Sequence, residues 1–215
     1  MSKNLVIFGA GGLAREVAWN VGNINREHPG TWALVGFLEH GQERIGQLLN
    51  GIPIIGADDV RRYAPGLYAV VAIGNSRARE RAVGEAEALG CLFAALLHPS
   101  VQYDRDTVHA GDGTIICAGT IIPVNVTIGR HVIINKDCTI GHDSVIEDYV
   151  TISPGCHLGG YTTIRRSAFM GIGAVTIERV SIGAGAVVGA GAVIIRDVPD
   201  GVTAVGVPAM ARGAK

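Results

Sequence analysis

Hydrophobic positions in the C-terminal half of the chain recur every six residues, from about Ala110 to Ile195. Starting at Ile116, an aliphatic residue or methionine opens 13 of 14 consecutive hexapeptides, and Thr176 is the exception. The fourth residue after each opener is small or β-branched. Neither the 3.6-residue period of a helix nor the two-residue period of a strand produces this pattern. It predicts a parallel β-helix, in which three successive hexapeptides form one triangular coil.

The N-terminal part of the chain has a different pattern, in which strand-like and helix-like segments alternate. Predicted strands cover residues 4–8, 32–38, 68–73 and 91–97, and predicted helices cover 15–21, 57–63 and 77–89. Residues 42–52 are expected to form a loop. The alternation is typical of a Rossmann-like α/β unit, but about four strands make only half of a full dinucleotide fold. The sequence therefore predicts two domains, residues 1–98 and residues 99–215.

Composition and charge narrow the classes of function. The chain carries 18 basic and 19 acidic side chains, so no electrostatic argument supports binding to nucleic acid or to an anionic membrane. No apolar run is long enough to span a bilayer, and no secretory signal is recognisable, which favours a cytoplasmic location. The four cysteines lack metal-binding spacing and are expected to be reduced, and we expect no metal cofactor.

A glycine-rich turn follows the first predicted strand. Gly9, Gly11 and Ala14 match the dinucleotide fingerprint, and the helix N-terminus after them favours an anion. Glu39, at the end of the second strand, is placed to accept a hydrogen bond from a ribose hydroxyl. Gly74 precedes a further helix and offers a second anion site. The short domain favours one nucleotide over NAD, with a turn that binds nothing as the alternative.

Histidine chemistry in the repeats centres on His142, which is followed by Asp143. A carboxylate beside an imidazole fixes its tautomer and makes it a candidate general base. One full coil beyond His142 the sequence has Gly160, which leaves room above the ring and offers a backbone N–H for a developing oxyanion. The pair also fits a solvated turn without function. A column at residues 154, 172 and 190 is expected to line a groove for a long, thin ligand.

Several motifs in this order resemble the hexapeptide-repeat acyltransferases, and within them the sialic-acid and bacillosamine-type sugar O/N-acetyltransferases. The motifs span essentially the whole chain: Ile7–Gly12, Gly36–Glu39, Ala72–Asn75, Leu97–Ser100, Gly141–Asp143, Ser153–Gly155 and Val205–Ala209. The resemblance implies an α/β Rossmann-like half domain followed by a left-handed parallel β-helix. It also implies a homotrimer in which acetyl-CoA lies between adjacent β-helices.

The resemblance assigns roles to individual residues. The base histidine of the family falls on His142 and its acidic partner on Asp143. Contacts to acetyl-CoA fall on Thr151, Gly160, Ile172 and Ala190. Contacts to the nucleotide of a nucleotide-linked amino sugar fall on Gly11, Gly12, Leu13, Glu39, His40 and Gly74. The chain departs from many relatives at Leu13, where they carry histidine, at Glu39 and His40, where they carry two aspartates, and at Thr151, where they carry a second histidine.

These observations predict an N-acetyltransferase that moves acetyl directly from acetyl-CoA to the amino group of a nucleotide-linked 4-amino-4,6-dideoxysugar. The alternatives are an O-acetyltransferase acting on a free sugar such as sialic acid, an NAD-dependent enzyme, and a non-catalytic trimeric scaffold. The sequence leaves the nucleotide base and the stereochemistry of the sugar open.

Overall fold

The structure is a computed structural model of the chain, and it describes residues 2–39 and 41–212. Its contacts divide the chain into two compact units, residues 1–99 and residues 100–215. No helix in the described part of the chain is long and apolar enough to cross a membrane. The fold class predicted from the sequence is confirmed, because an α/β unit precedes a long run of short parallel strands.

The first unit is built on one sheet with strand order β3-β4-β2-β1-β5-β6. All neighbouring pairs are parallel except β3 and β4. Its elements are β1 (Lys3–Phe8), α1 (Gly12–Glu27), β2 (Trp32–Leu38), a 3-10 helix (Gln42–Arg44), β3 (Leu48–Leu49), β4 (Ile52–Ile55), α2 (Ala57–Tyr63), β5 (Tyr68–Val71), α3 (Ser76–Ala88), β6 (Leu92–Phe93) and β7 (Leu96–Leu97).

Two expectations for the first unit were wrong. Residues 42–52 are not a plain loop, because they contain the 3-10 helix, β3 and the first residue of β4. Residues 91–97 form two short strands, β6 and β7, instead of one. With the unexpected strands β3 and β4, the described part of this unit has a six-stranded sheet where about four strands were expected. Helix α2 has the predicted bounds.

The second unit consists of two- and three-residue strands, most of which succeed one another every six residues. They are β8 (Gln102–Tyr103), β9 (His109–Ala110), β10 (Ile115–Ile116), β11 (Ile121–Ile122), β12 (Thr127–Ile128), β13 (Ile133–Ile134), β14 (Thr139–Ile140), β15 (Val145–Ile146), β16 (Thr151–Ile152), β17 (His157–Leu158), β18 (Thr163–Ile164), β19 (Phe169–Met170), β20 (Val175–Thr176), β21 (Ser181–Ile182), β22 (Val187–Val188), β23 (Val193–Ile194), β24 (Thr203–Val205) and β25 (Met210–Ala211).

Every third strand belongs to the same sheet, so the coils have three faces. The first face contains β10, β13, β16, β19, β22 and β24, the second contains β8, β11, β14, β17, β20 and β23, and the third contains β9, β12, β15, β18 and β21. Within each face, parallel partners come from successive coils, as Thr139 of β14 pairs with His157 of β17. This is the coil of three hexapeptides that the sequence period predicts.

The interior of the coils is filled by the two positions that the hexapeptide pattern singles out. The openers from Ile116 to Ile194 and the small residues from Thr120 to Ala192 are all buried. Thr176, the one polar opener, is buried as well, and its Oγ1 accepts a hydrogen bond from the N–H of Gly159 at 3.1 Å. A hydrogen-bonded hydroxyl carries little of the cost of burying a polar group, which explains why the pattern tolerates threonine here.

Two edges of the coils matter for the site. The turns that join the second face to the third form what we call the His142 edge (residues 104–108, 123–126, 141–144, 159–162 and 177–180). The turns that join the first face to the second form the Ile172 edge (residues 117–120, 135–138, 153–156, 171–174 and 189–192). Corresponding residues of one edge lie in successive coils, three hexapeptides apart along the chain.

Candidate active site

His142 lies in the turn after β14, on the His142 edge. Its side chain is half exposed, and Nδ1 lies 2.7 Å from Oδ2 of Asp143. The pKa of the Asp143 carboxyl is lowered, chiefly by the hydrogen bond from His142 and then by one from Asn125. An ionised carboxylate only accepts hydrogen bonds, so Nδ1 carries a proton, and in the neutral imidazole Nε2 keeps its lone pair. The geometry leaves Nε2 as the atom that can take a proton.

Gly160 lies one coil above His142 and faces its free nitrogen. A Cβ placed on Gly160 would lie 2.8 Å from Nε2 of His142, so a side chain there would displace the imidazole. The two coils are joined beside this point, because the N–H of Tyr161 donates to the backbone oxygen of His142 at 2.8 Å. A Cβ on Gly141 would lie 2.4 Å from the nitrogen of Gly160. Glycine at both positions therefore lets the Gly160 peptide approach the imidazole.

The backbone N–H of Gly160 lies at a hexapeptide position where other N–H groups of the coils donate to carboxylates. At the same position, the N–H of Arg130 donates to Asp148 and the N–H of Ala184 donates to Asp200, each at 2.7 Å. Among the hydrogen bonds of the described residues, the N–H of Gly160 has no acceptor. This position therefore offers a donor to negative charge from outside the protein, next to a candidate base.

The other residues assigned to acetyl-CoA lie elsewhere in the coils. Ile172 is 62% exposed and Ala190 is exposed, and both lie on the Ile172 edge. Thr151 lies in β16 on the first face and is buried. Within one chain the structure brings His142 and Gly160 together, but it does not bring Ile172 and Ala190 to the same edge.

The predicted nucleotide contacts fall on three loops of the first unit. Gly11 caps α1, whose first residues are Gly12 and Leu13, while Glu39 follows β2 and Gly74 follows β5. Strands β2, β1 and β5 are parallel neighbours, so these loops leave the same edge of the sheet. The chain order reverses between β1 and β5, and open α/β sheets bind ligands at such a switch point. His40 lies outside the described residues.

Local contacts hold these loops close together. Gly9 has φ of +106°, and a Cβ there would lie 3.3 Å from the backbone oxygen of Ala72. The buried side chain of Arg79 donates from Nη1 to the backbone oxygens of Ile73 and Gly74, at 2.6 and 3.1 Å. Glu39 makes an ion pair with Arg44 at 3.1 Å.

Three residues beside the candidate base were missed from the sequence. Asn125 donates from Nδ2 to Oδ1 of Asp143 at 3.1 Å, and the ring of Tyr161 meets the His142 ring edge-on at 5.2 Å. Arg179 lies 4.1 Å above the centre of the Tyr161 ring. Asn125 lies one coil before Asp143, whereas Tyr161 and Arg179 lie one and two coils after it. Counting by whole coils would therefore have found all three.

Comparison with known proteins shows the family to which this chain belongs. The family described as "PglD N-terminal domain" matches residues 4–86, and the six-repeat bacterial transferase hexapeptide matches residues 125–160. GDP-perosamine N-acetyltransferase of Escherichia coli O157:H7 is 36% identical over 212 residues, which cover 94% of this chain and 93% of that protein. The chain belongs to the hexapeptide-repeat sugar acetyltransferase family. It is an acyltransferase.

Solved structures of this sugar acetyltransferase family have the same fold over nearly the whole chain. The acetyltransferase domain of PglB from Neisseria gonorrhoeae, in complex with acetyl coenzyme A, superposes with a TM-score of 0.89 at 32% identity, covering 99% of this chain and all of that one. A histidine-to-asparagine variant of perosamine N-acetyltransferase from Caulobacter crescentus, in complex with CoA and GDP-perosamine, gives a TM-score of 0.87 at 31% identity, covering 98% and 97%.

Proposed function

We propose that this acyltransferase moves the acetyl group of acetyl-CoA to the amino group of a GDP-linked 4-amino-4,6-dideoxyhexose. The observation that carries the proposal is the His142–Asp143 pair at 2.7 Å, with Nε2 facing the Gly160 peptide. The full-length similarity to a GDP-perosamine N-acetyltransferase supports the nucleotide and the sugar. The neighbour solved with CoA and GDP-perosamine supports the same pair of substrates.

In the proposed reaction, His142 is the general base. Nδ1–H donates to Asp143, and Nε2 accepts a proton from the sugar amine as its nitrogen bonds to the thioester carbonyl carbon. The carbon–sulfur bond then breaks, and the CoA sulfur leaves with the proton that Nε2 returns. One proton and one acetyl group are transferred, and the histidine ends as it began. A positioned base of this kind contributes about 10²–10⁴-fold to the rate.

Gly160 is proposed to stabilise the negative charge that develops on the carbonyl oxygen. Its N–H has no protein acceptor among the described hydrogen bonds, and three other N–H groups at this hexapeptide position each bind a carboxylate. A fixed peptide N–H beside the base is already oriented before reaction, which is what makes such donors effective.

Direct transfer is favoured over a covalent acetyl-enzyme. The four cysteines are free and buried, and burial raises the pKa of Cys138 to about 12 and that of Cys91 to about 11. Thiols with such pKa values are almost entirely protonated at neutral pH and are poor nucleophiles. Cys138 and Cys156 also point into the coils and donate to the backbone oxygens of Ser153 and Gly171.

The sheet edge at the switch point between β1 and β5 is proposed to bind the nucleoside diphosphate. The proposed contacts to the phosphates are Gly11, Gly12, Leu13 and Gly74. The proposed contacts to the nucleoside are Glu39 and His40. Helix α1 has 16 residues, and its N-terminal N–H groups favour an anion. Glu39 is a hydrogen-bond acceptor and suits hydroxyl or amide donors of the nucleoside.

Acetyl-CoA is proposed to lie between two copies of the β-helix. His142 and Gly160 of one copy lie on the His142 edge, and Ile172 and Ala190 lie on the Ile172 edge. One cleft contains both sets only where the His142 edge of one copy faces the Ile172 edge of another. Thr151 is the contact that the structure supports least, because its side chain is buried on the first face. The homotrimer and the cytoplasmic location stay predictions.

A single-turnover experiment tests direct transfer. Enzyme in excess over acetyl-CoA labelled in the acetyl group is mixed with the GDP-linked 4-amino sugar and quenched with acid at successive times. We expect label to leave acetyl-CoA and enter the sugar at one common rate, with none on the protein.

Label on the protein that forms before the product would contradict direct transfer. The same conclusion would follow from free CoA that is released before any acetyl sugar appears. A parallel reaction without the sugar gives the background rate of thioester hydrolysis, which has to be subtracted from both time courses.

A further inference from the structure

One polar residue per coil forms a column beside the candidate base, on the His142 edge. Its members follow one another at intervals of three hexapeptides: Thr107, Asn125, Asp143, Tyr161 and Arg179. The last four all have a left-handed backbone, with φ between +55° and +59°. We call this set the polar column. The same hexapeptide position is left-handed in other turns of the coils as well, for example at Tyr149 and Ser167.

Asn125 and His142 each donate a hydrogen bond to a different oxygen of the Asp143 carboxylate. Asn125 donates from Nδ2 to Oδ1 at 3.1 Å, while His142 donates from Nδ1 to Oδ2 at 2.7 Å. Because each oxygen has its own donor, rotation of the carboxylate breaks both contacts. Asn125 is itself held from the coil below, where Oγ1 of Thr107 accepts its backbone N–H at 3.0 Å.

The pair needs such support because it is open to water. About half of the His142 side chain and a third of the Asp143 side chain are exposed. Exposed charged pairs hold their geometry weakly, since solvent competes and side-chain entropy favours other rotamers. Tyr161 packs against the imidazole from the coil above, and the guanidinium of Arg179 lies over the tyrosine ring. Hydrogen bonds from these neighbours lower the pKa of the Asp143 carboxyl. The one from His142 has the largest effect, the one from Asn125 the next largest, and the one from Tyr161 the smallest.

We propose that Asn125 is a positioning residue for acetyl transfer, which holds the carboxylate of Asp143 in the orientation that fixes the proton of His142 on Nδ1. The proposal rests on the proposed function, because it acts through His142 as the base. It assigns to Asn125 an effect on kcat without contact to either substrate.

Two substitutions distinguish the role of the Asn125 side-chain amide from that of its left-handed backbone. Asn125→Gly keeps the left-handed backbone and removes the amide, and we expect kcat to fall about tenfold with KM for both substrates nearly unchanged. Asn125→Asp keeps the shape but replaces the donor by a second carboxylate. A second negative charge beside the His142–Asp143 pair favours protonation of the pair, so the acid limb of kcat moves to higher pH.

Ser167→Gly is the matched control. Ser167 has φ of +61° at the same hexapeptide position, but it lies in the turn after β18, away from the His142 edge. We expect this variant to keep the wild-type kcat. A loss of activity shared by Asn125→Gly and Ser167→Gly would mean that such turns matter only for the fold, and it would overturn the proposal.

A double-mutant cycle decides whether Asn125 acts through Asp143. In an Asp143→Ala background we expect Asn125→Gly to lower kcat no further, because the carboxylate that it holds is absent. The same tenfold loss in both backgrounds would overturn the proposal, and so would a wild-type kcat for Asn125→Gly. If Asn125→Gly does not fold, the pH profile of Asn125→Asp decides, and an unshifted acid limb overturns the proposal.

Failure of this proposal differs from failure of the proposed function. If His142→Asn keeps its turnover, the base assignment fails and the role of Asn125 fails with it. If His142→Asn loses turnover while the Asn125 variants match the wild type, the base assignment stands and only the positioning role is removed.

Discussion

Replacing His142 with asparagine is expected to lower kcat by about 10²–10⁴-fold, with little change in KM for acetyl-CoA or for the sugar. Asparagine keeps a polar side chain of similar size but has no basic nitrogen to take the amine proton. Because binding does not depend on the proton transfer, the loss appears in kcat. Thiol release at saturating substrates measures it. The thermal midpoint should stay close to that of the wild type, since the side chain is half exposed.

His109→Asn is the control for this prediction. His109 is an exposed histidine on β9 of the third face, and its replacement should leave kcat unchanged. A His142→Asn variant that retains wild-type turnover would show that His142 is not the general base. Equal losses for the two variants would point to a general effect of histidine loss on the coils.

Replacing Gly160 with alanine is expected to lower kcat by about 10²–10³-fold, within the range that a positioned general base contributes, because the new side chain displaces that base. The new Cβ would lie 2.8 Å from Nε2 of His142, so the ring has to leave its place beneath the Gly160 peptide. The backbone of Gly160 is not left-handed, so alanine adds no backbone strain. We expect the thermal midpoint to change little while acetyl transfer is lost.

Gly84→Ala provides the comparison for the glycine variant. Gly84 lies in α3, and a Cβ there meets nothing within 4 Å. Alanine is favoured over glycine inside helices by about 1 kcal/mol, so this variant should be slightly more stable and fully active. A Gly160→Ala enzyme with activity within a few-fold of the wild type would contradict the proposed contact between Nε2 and the peptide.

The coils follow from the sequence because their pattern is local and repeats. Each opener and each small residue is defined by its place within its hexapeptide, and each is buried as the pattern requires. The first unit is less predictable, because strands β3, β6 and β7 have two residues each. Strands this short are stabilised by pairing with neighbouring strands, and no periodicity within them marks their positions.

The candidate site was predicted in part. One coil beyond His142 the sequence has Gly160, and the structure places the two together. The same interval, counted backwards and forwards from Asp143, gives Asn125 and Tyr161, whose contacts with the His142–Asp143 pair were not predicted. Ile172 lies one coil and two further hexapeptides beyond His142. His142 and Ile172 therefore lie on different edges, because two residues share a column only when a whole number of coils separates them.

The proposed reaction is acetylation of the amine of a GDP-linked 4-amino-4,6-dideoxyhexose. Its most direct test is the rate of thiol release from acetyl-CoA across a panel of acceptors. The panel contains that sugar linked to GDP, UDP or dTDP, its 4-hydroxy counterpart linked to GDP, and free sialic acid. We expect the GDP-linked amine to give the highest kcat/KM, with N-acetyl product and free CoA formed in equal amounts. Faster thiol release with free sialic acid, or none with any amine, would contradict it.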